Sequence, residues 1–361
     1  MKKLALLLGS LLVVGATASA KEAVVAPVEV SKEVVVVADV VEEVVVEEAF
    51  RPSGYVGLEY RAYGKTEGHG DKVRKNELGA NLPDTDQDTW NRGFNDYARL
   101  QTTFGVQMTE NSRLEGRIRD YSNLEANGAN HADKEGTETR LRYFYKHNDM
   151  FTSRLQYRDE ENNSQNFEYM LRYNAYQNKG GLLSKIVLAP SLYHSMPANN
   201  GGNYMNAIGL DIEYAGNLPF GFTWDGTLYL DQNFYNHEFN TSATSTKKRS
   251  FDVTWEIYLY RTFALYAGEK TNVDFNFAGG YDPYIFRQYE RYNTKTKTTT
   301  EKNTYSLYTA MDVSVNYQIT PALSVNGGVG AEYRNWDNTA ESSASHWRWQ
   351  PYAFAGMKVN F

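Results

Sequence analysis

The last fifteen residues of the chain, 347–361, alternate between apolar and polar side chains, and Phe354 is the one apolar residue on the polar side. This two-residue period is typical of an outer-membrane barrel strand, in which one side faces lipid and the other faces water. We therefore expect the chain to end in a membrane-spanning strand. Its alternate residues Met357, Val359 and Phe361 are the expected recognition signal for the barrel-assembly machinery.

Similar alternating runs of roughly ten residues recur from Arg51 onward, and each is followed by a polar break. In order, they lie at 55–63, 97–108, 114–121, 139–146, 151–158, 167–176, 186–193, 206–214, 222–231, 251–259, 273–281, 305–317, 323–333 and 347–361. The eleventh is the least defined, because residues 263–267 could belong to it. The pattern predicts an all-β fold, a transmembrane antiparallel up-and-down β-barrel of about fourteen strands, with roughly twelve to sixteen compatible.

The breaks between the runs alternate in length. The long breaks lie at 64–94, 122–137, 233–249, 282–303 and 336–346, and the short ones at 109–112, 147–150, 215–221 and 318–322. Outer-membrane barrels have long extracellular loops and short periplasmic turns. If the chain enters from the periplasm, each of these long breaks lies outside the cell and each short one inside. A soluble all-β protein would not explain this topology or the apolar faces of the runs.

The first fifty residues differ from the rest of the chain. Lys2 and Lys3 precede an apolar run, and residues 18–20, Ala-Ser-Ala, fit the cleavage pattern of a secretory signal. The apolar run is shorter than the roughly 20 residues that a spanning helix needs, which disfavours an uncleaved anchor. We predict a signal peptide at 1–20 cleaved near Ala20, a Val/Glu-rich periplasmic extension at 21–50 and an outer-membrane barrel at 51–361. The heptad spacing of its valines makes the extension either a short coiled coil or a disordered tether.

Composition narrows the possible functions. A mean hydropathy of -0.59 would suit a soluble protein, but half of every barrel strand also faces water, and 28 tyrosines are many for a soluble chain. The formal charge of -7 disfavours nucleic-acid binding, which requires a basic surface. The chain has no cysteine, which excludes disulfides and thiolate metal sites. We expect no cofactor and no metal.

Several of these features together resemble the fusobacterial major outer-membrane porins of the FomA type. They are the signal, the Val/Glu-rich leader that runs into Gly-Tyr-Val-Gly-Leu-Glu-Tyr at 54–60, the Tyr-rich strands and the terminal Phe361. The resemblance implies a homotrimeric, voltage-gated, weakly selective channel in the outer-membrane lipid, which also adheres to other bacterial or host surfaces. It thus implies a general diffusion porin for ions and small hydrophilic solutes.

With the apolar residues of each run facing lipid, the alternate positions line the lumen, and their charges are divided along the sequence. The predicted basic lining residues, on the early strands, are Arg61, Arg99, Arg117, Arg119, Arg140, Arg142, Arg154, Arg158 and Arg172. The predicted acidic lining residues, on the later strands, are Asp211, Glu213, Asp225, Asp231, Asp252, Glu256, Asp274, Asp312 and Glu332. Because consecutive strands are neighbours in a barrel, a basic arc is expected to face an acidic arc.

Such an arrangement creates a transverse field across the pore that favours small hydrophilic solutes. The alternative is that the charges only solvate a wide lumen, with Glu59, Glu115 and Glu168 pairing locally with the early arginines. A barrel of this size also needs a constriction. We expect it from the loop at 64–94, or second from 282–303, because the third loop, at 159–166, is too short. The tyrosines at strand ends, including Tyr63, Tyr97, Tyr121 and Tyr333, and Trp347, are predicted to lie at the membrane interfaces, or in some cases to stack solutes.

Enzymatic function is not expected. None of the six histidines is predicted on a lipid-facing strand beside a serine, as a barrel phospholipase requires. An omptin-like site of loop histidines and acidic residues stays an open alternative. The segment Asp84-Thr-Asp86-Gln-Asp88 begins like a calcium loop but lacks its glycine and its glutamate, so a solvated acidic loop is favoured.

Two functions therefore stay open. The leading one is a passive outer-membrane channel with no catalytic residues. The rival is a surface adhesin whose barrel displays its loops for binding between cells.

Overall fold

The structure is a computed structural model that describes residues 50–65, 97–124, 136–161, 164–197, 202–294, 297–300, 302–335 and 347–361. The predicted signal peptide, nearly all of the Val/Glu-rich extension and the segment with the aspartates at 84–88 lie outside the described residues. Within the described part of the chain, no helix has the length and apolar character needed to cross a membrane.

The described residues form strands almost throughout. They are β1 Ser53–Tyr63, β2 Tyr97–Gln107, β3 Ser112–Asn123, β4 Gly136–Lys146, β5 Phe151–Glu160, β6 Ser164–Gln177, β7 Lys185–Pro197, β8 Met205–Asn217, β9 Thr223–Asn240, β10 Thr246–Ala267, β11 Thr271–Arg287, β12 Arg291–Asn293, β13 Thr298–Thr300, β14 Asn303–Gln318, β15 Leu323–Asn335 and β16 Trp347–Asn360. A single 3₁₀ turn, Pro219–Gly221, lies between β8 and β9. Each of the fourteen runs read from the sequence coincides with a strand of the barrel.

Fourteen strands close into one antiparallel barrel, in which each strand pairs with its neighbours in sequence and β1 pairs with β16. The short strands β12 and β13 pair with each other in the connection between β11 and β14. At the closure, Gly54 N donates to Phe361 O at 2.8 Å and Phe361 N donates to Gly54 O at 2.9 Å. A closed barrel leaves no strand edge with unpaired backbone groups, which is the condition for strands to cross a membrane. The predicted fold is confirmed.

The strands β9 and β10 are longer than the sequence predicts, with 18 and 22 residues. The long break predicted at 233–249 is therefore wrong in extent, because only 241–245 connects the two strands. Aromatic side chains support the extension: the rings of Tyr235 and Phe239 meet edge to face with centroids 5.0 Å apart. Residues 263–267 belong to β10 and not to the eleventh run, and β11 begins at Thr271.

The side chains of each strand alternate between two faces of the sheet. One face carries apolar residues with large exposed fractions, such as Leu155 at 54%, Leu192 at 58% and Ile208 at 58%. The opposite face of the six neighbouring strands β4 to β9 lines a single cavity of about 560 Å³. Only the concave side of a closed barrel can bring six strands to one cavity. The polar face is therefore the interior, and the apolar face is the exterior.

Candidate pore lining

Strand register places all eighteen charged residues singled out in the sequence on the interior face of the barrel. Arg61 on β1 lies opposite Arg99 on β2, and Arg140 on β4 lies between Arg117 on β3 and Arg158 on β5. On the other side, Asp231 on β9 lies opposite Asp252 on β10. These placements give the geometry of the lining, whereas a role of the residues in permeation stays a prediction.

Several arginines of the early strands are paired locally. Arg99 Nη2 lies 2.9 Å from Glu59 Oε1, and Arg61 Nε lies 3.2 Å from the same oxygen. Arg154 Nη2 lies 2.7 Å from Glu168 Oε2. Local pairing, the alternative to a transverse field, therefore holds for these two glutamates.

The third glutamate expected in local pairing has a different partner, because Glu115 Oε1 lies 2.9 Å from Nη2 of Arg113. A carboxylate that the sequence analysis did not single out, Glu138, has the central position instead. It pairs with Arg117, and it lies 3.5 Å from Arg119 Nη1 and 3.5 Å from Arg158 Nε. Glu138 lies two and four residues before Arg140 and Arg142 on β4, and this spacing in the sequence indicates that all three face the lumen.

Two arginines on β4 have no such partner. Among the described residues, neither Arg140 nor Arg142 has a carboxylate oxygen within 4 Å of its guanidinium. Arg142 Nε instead donates to Gln156 Oε1, a neutral acceptor, at 2.6 Å. Because Arg140 also lies between two other arginines in the register, positive charge is concentrated at the centre of the basic arc.

The carboxylates of the later strands are held mainly by neutral donors. Tyr229 Oη donates to Glu256 Oε2 at 3.2 Å, and Asn233 Nδ2 donates to Asp252 Oδ2 at 3.0 Å. Asp312 accepts from Asn276 Nδ2 at 2.8 Å and from Tyr352 Oη at 3.1 Å. Hydrogen bonds from neutral groups stabilise a carboxylate without cancelling its charge.

Three of the predicted acidic lining residues have cationic partners among the described residues. Arg172 pairs with Glu213, which also lies 3.5 Å from Lys185 Nζ. Arg334 pairs with Glu332, and Arg291 lies 3.8 Å from Asp252. The Arg172 pair marks the boundary between the basic arc of β1 to β6 and the acidic arc of β8 to β15.

A connection also reaches the interior. Arg291 on β12 donates from Nη2 to Tyr235 Oη at 2.8 Å and to Ser250 Oγ at 3.2 Å. Its guanidinium carbon lies 3.6 Å from the ring centroid of Phe239. Because these partners belong to the interior face of β9 and β10, the β11–β14 connection folds inward there. Of the two predicted constrictions, the one at 282–303 thus has contacts inside the barrel, and the one at 64–94 lies almost wholly outside the described residues.

An aromatic cluster on the interior face corrects part of the interface prediction. Tyr63, Tyr97 and Tyr352 are buried together, and Tyr121 and Phe354 pack against them. The rings of Tyr63 and Tyr97 stack with centroids 4.4 Å apart. The sequence predicts Tyr63, Tyr97 and Tyr121 at the membrane interfaces. Tyr63, however, is two residues from Arg61 in β1, and this spacing places both side chains on the same, interior face.

On the exterior, the interface prediction agrees with the structure. Tyr333 stacks on Trp347 with ring centroids 5.3 Å apart and lies 4.9 Å from the ring of Trp349. These rings lie on the apolar face of β15 and β16, at the end that leads to the 336–346 connection. Stacked aromatic rings at this level are typical of the girdles of membrane barrels.

One histidine contacts a serine from a turn. His147, in the 147–150 turn after β4, has its Nε2 2.7 Å from Ser153 Oγ on the exterior face of β5. Ser153 Oγ also lies 3.2 Å from Tyr169 Oη. Elsewhere, His194 Nδ1 contacts Asn206 Oδ1 at 2.7 Å. In the described ranges, no group of three His, Asp or Glu side chains could hold a metal ion.

No protein-family model and no curated protein matches this chain. Among solved structures, it is similar to a bacterial polysaccharide outer membrane secretin, with a TM-score of 0.40 and 11% identity over 85% of this chain and 98% of that one. It is also similar to Acinetobacter baumannii OccAB1, with a TM-score of 0.33 and 10% identity over 86% and 96%. An anion-selective porin from Comamonas acidovorans gives 0.32 and 9% over 86% and 100%. Similarities this weak carry no argument about activity.

Proposed function

We propose that this protein is an outer-membrane porin through which ions and small hydrophilic solutes diffuse passively. The observation that carries the proposal is the combination of an apolar exterior with a charged interior in one closed barrel of fourteen strands. A soluble barrel would have the opposite arrangement, because its interior would be its apolar core.

The dimensions of the strands support a membrane location. The eight strands β1 to β8 have 10 to 14 residues each, and a strand tilted by roughly 45° needs about 9–11 residues to cross the hydrocarbon layer. The likeness of the leader, the first strand and the Tyr-rich strands to fusobacterial porins supports the same proposal.

The proposal includes a selectivity mechanism. A basic arc centred on Arg140 and Arg142 faces carboxylates that accept hydrogen bonds mainly from neutral donors. Charges of opposite sign on opposite walls order the water between them, so an apolar solute must displace water without replacing its hydrogen bonds. We therefore expect polar solutes to pass faster than apolar ones of equal size.

The experiment is a planar-bilayer recording of the refolded full chain in potassium chloride. We expect stepwise conductance increases, and liposomes that contain the protein should swell in isotonic solutions of small sugars and amino acids. Heat-denatured protein added at the same concentration is the control. If circular dichroism shows a folded barrel but neither conductance nor swelling is observed, then the porin function is refuted. The alternative, a surface adhesin whose barrel displays its loops, would then stand.

A further inference from the structure

The cavity between β4 and β9 contains charges of both signs that lack protein partners, and this points to a specific ligand. Its arginines Arg154 and Arg158 are paired with carboxylates, Glu168 in the first case and Glu138 in the second. The third arginine of the cavity, Arg142, has only the neutral Gln156 as a hydrogen-bond partner among the described residues.

The carboxylates of the cavity divide in the same way. Glu168 and Glu213 are paired with arginines. Asp211 and Asp231 also line the cavity, but neither forms a hydrogen bond or an ion pair with a described residue. Asp211 is only 5% exposed, so it is a buried carboxylate whose remaining exposure is to the cavity. A buried carboxylate without a partner is costly, and a cationic ligand would remove that cost.

A glycine leaves space beside one of the two unpartnered carboxylates, Asp231. Gly209 lies on the interior face of β8 directly opposite Asp231, two residues before Asp211. A Cβ atom at this position would lie 2.6 Å from Asp231 Oδ1 and 2.5 Å from Ser191 Oγ. Because a side chain there would meet Asp231 and Ser191, its absence leaves space beside Asp231 at the acidic end of the cavity.

We propose that this cavity binds short peptides by both ends, with the carboxylate on Arg142 and the ammonium group between Asp211 and Asp231. The inference rests on the proposed porin function and names one class of solute for it. A guanidinium binds a carboxylate through two parallel hydrogen bonds, and two carboxylates suit the three donors of an ammonium group. A ligand with only one of these charges would leave the other end of the cavity unsatisfied.

The separation of the two ends selects the length of the ligand. Arg142 on β4 is in register with Ala207 on β8, four strand spacings of about 4.8 Å away, and Asp211 lies four residues further along β8. Their backbones are therefore roughly 23 Å apart along the sheet. The reach of the arginine side chain and the curvature of the barrel shorten this span. Each peptide residue adds at most about 3.3–3.6 Å, so a peptide of two or three residues bridges the ends better than one amino acid does. The cavity volume of about 560 Å³ accommodates such a ligand.

The test uses trialanine as the probe and the full chain in a planar bilayer. The concentration that half-blocks the ionic current is measured for trialanine, for N-acetyl-trialanine, for trialanine amide and for free alanine. A hydrogen bond to a charged group contributes about 1.5–3 kcal/mol, so loss of either end should raise this concentration at least about tenfold. Equal block by the capped and uncapped peptides, or by free alanine, overturns the proposal without the use of any variant.

Two variants assign the ends. In Asp211→Asn with Asp231→Asn, trialanine should block only as weakly as its N-acetylated form, and in Arg142→Gln only as weakly as its amide. Asp225→Asn with Asp274→Asn, which removes two interior carboxylates that do not line the cavity, is the matched control, and its block by trialanine should match that of the unchanged chain. If the control loses block as much as the cavity variants do, then the effect is general lumen charge and the site is refuted.

Failure of the porin and failure of this site give different results. A channel that conducts ions but shows no preference for uncapped trialanine refutes the site alone. If no conductance is observed, isothermal titration of the detergent-solubilised chain with the same four probes still decides whether the cavity binds them.

Discussion

Reversal of the two arginines without carboxylate partners, Arg140→Glu with Arg142→Glu, should change the ion selectivity of the pore. Each substitution replaces a positive charge with a negative one, so the pair changes the charge of the basic arc by four units. The neighbouring Arg117 and Arg158 can pair with the new glutamate at position 140, which lies opposite both in the register. We therefore expect the variant to fold.

The magnitude follows from Coulomb's law. A unit charge about 8 Å from the path of an ion contributes ~0.52 kcal/mol in bulk water, and a Debye length of about 10 Å at 0.1 M salt reduces this to roughly 0.23 kcal/mol. Four units then shift the energy of a cation by about 0.9 kcal/mol and that of an anion by the same amount in the opposite direction. Together they change the ratio of cation to anion permeability by roughly twentyfold, because 1.4 kcal/mol is a factor of ten.

The assay is the reversal potential in a planar bilayer under a tenfold gradient of potassium chloride. The variant should shift toward cation selectivity, and raising the salt on both sides should reduce the shift because screening is stronger. Lys179→Glu with Lys270→Glu is the control, since it makes the same change of charge at exposed positions in the 178–184 and 268–270 connections. The ratio of cation to anion permeability is calculated from the reversal potential. If this ratio differs less than twofold between the interior variant and the unchanged chain, then the basic arc does not set selectivity.

Four further outcomes are expected. Tyr97→Ala removes a buried ring from the interior aromatic cluster and should lower the free energy of unfolding in urea by about 3–5 kcal/mol. The control is Tyr60→Ala, because Tyr60 is 46% exposed, and its effect should be clearly smaller. Equal effects would contradict a stabilising role of the cluster. Leu155→Arg on the exterior should cost about 2–4 kcal/mol if it lies near the bilayer midplane, measured by reversible folding into lipid vesicles, and no change would place this face away from lipid. Deletion of residues 289–301, which include the inward-reaching β12, should raise single-channel conductance, and an unchanged value would exclude this connection as the constriction. Ser153 should not react with a fluorophosphonate probe despite its histidine neighbour, because among the described residues no carboxylate orients the His147 ring through a hydrogen bond; labelling detected by mass spectrometry would reopen the enzymatic alternative.

The barrel could be predicted from the sequence because two independent periodicities agreed. Alternation within runs marks the two faces of a strand, and the lengths of the breaks mark the two ends of the barrel. The prediction of a long loop at 233–249 was wrong. Asn, Thr and Lys are frequent there, and this composition is typical of turns although most of the segment forms strands. There the aromatic rings of Tyr235 and Phe239 continue the strand beyond the usual length.

The candidate lining was predictable in its orientation and not in its contacts. Parity along a strand decides whether a residue such as Arg140 faces the interior. It does not give the register between strands, which determines that Glu138 rather than Glu115 is the main partner of the arginine group. Which charges of the cavity are paired depends on that register and on side chains from strands far apart in sequence. The pattern within single strands therefore could not predict which charges are paired and which are not.

The seam between β1 and β16 also constrains how the protein is made. Gln350 Nε2 donates to Gly64 O, a contact between residues 286 positions apart in the chain. The outer edge of β1 therefore has unpaired backbone N–H and C=O groups until β16, the last strand to be synthesised, pairs with it. Any shortened polypeptide carries two such edges, which template pairing with other chains. Closure of the barrel therefore depends on contacts between the two ends of the strand set, and contacts this far apart in sequence form slowly.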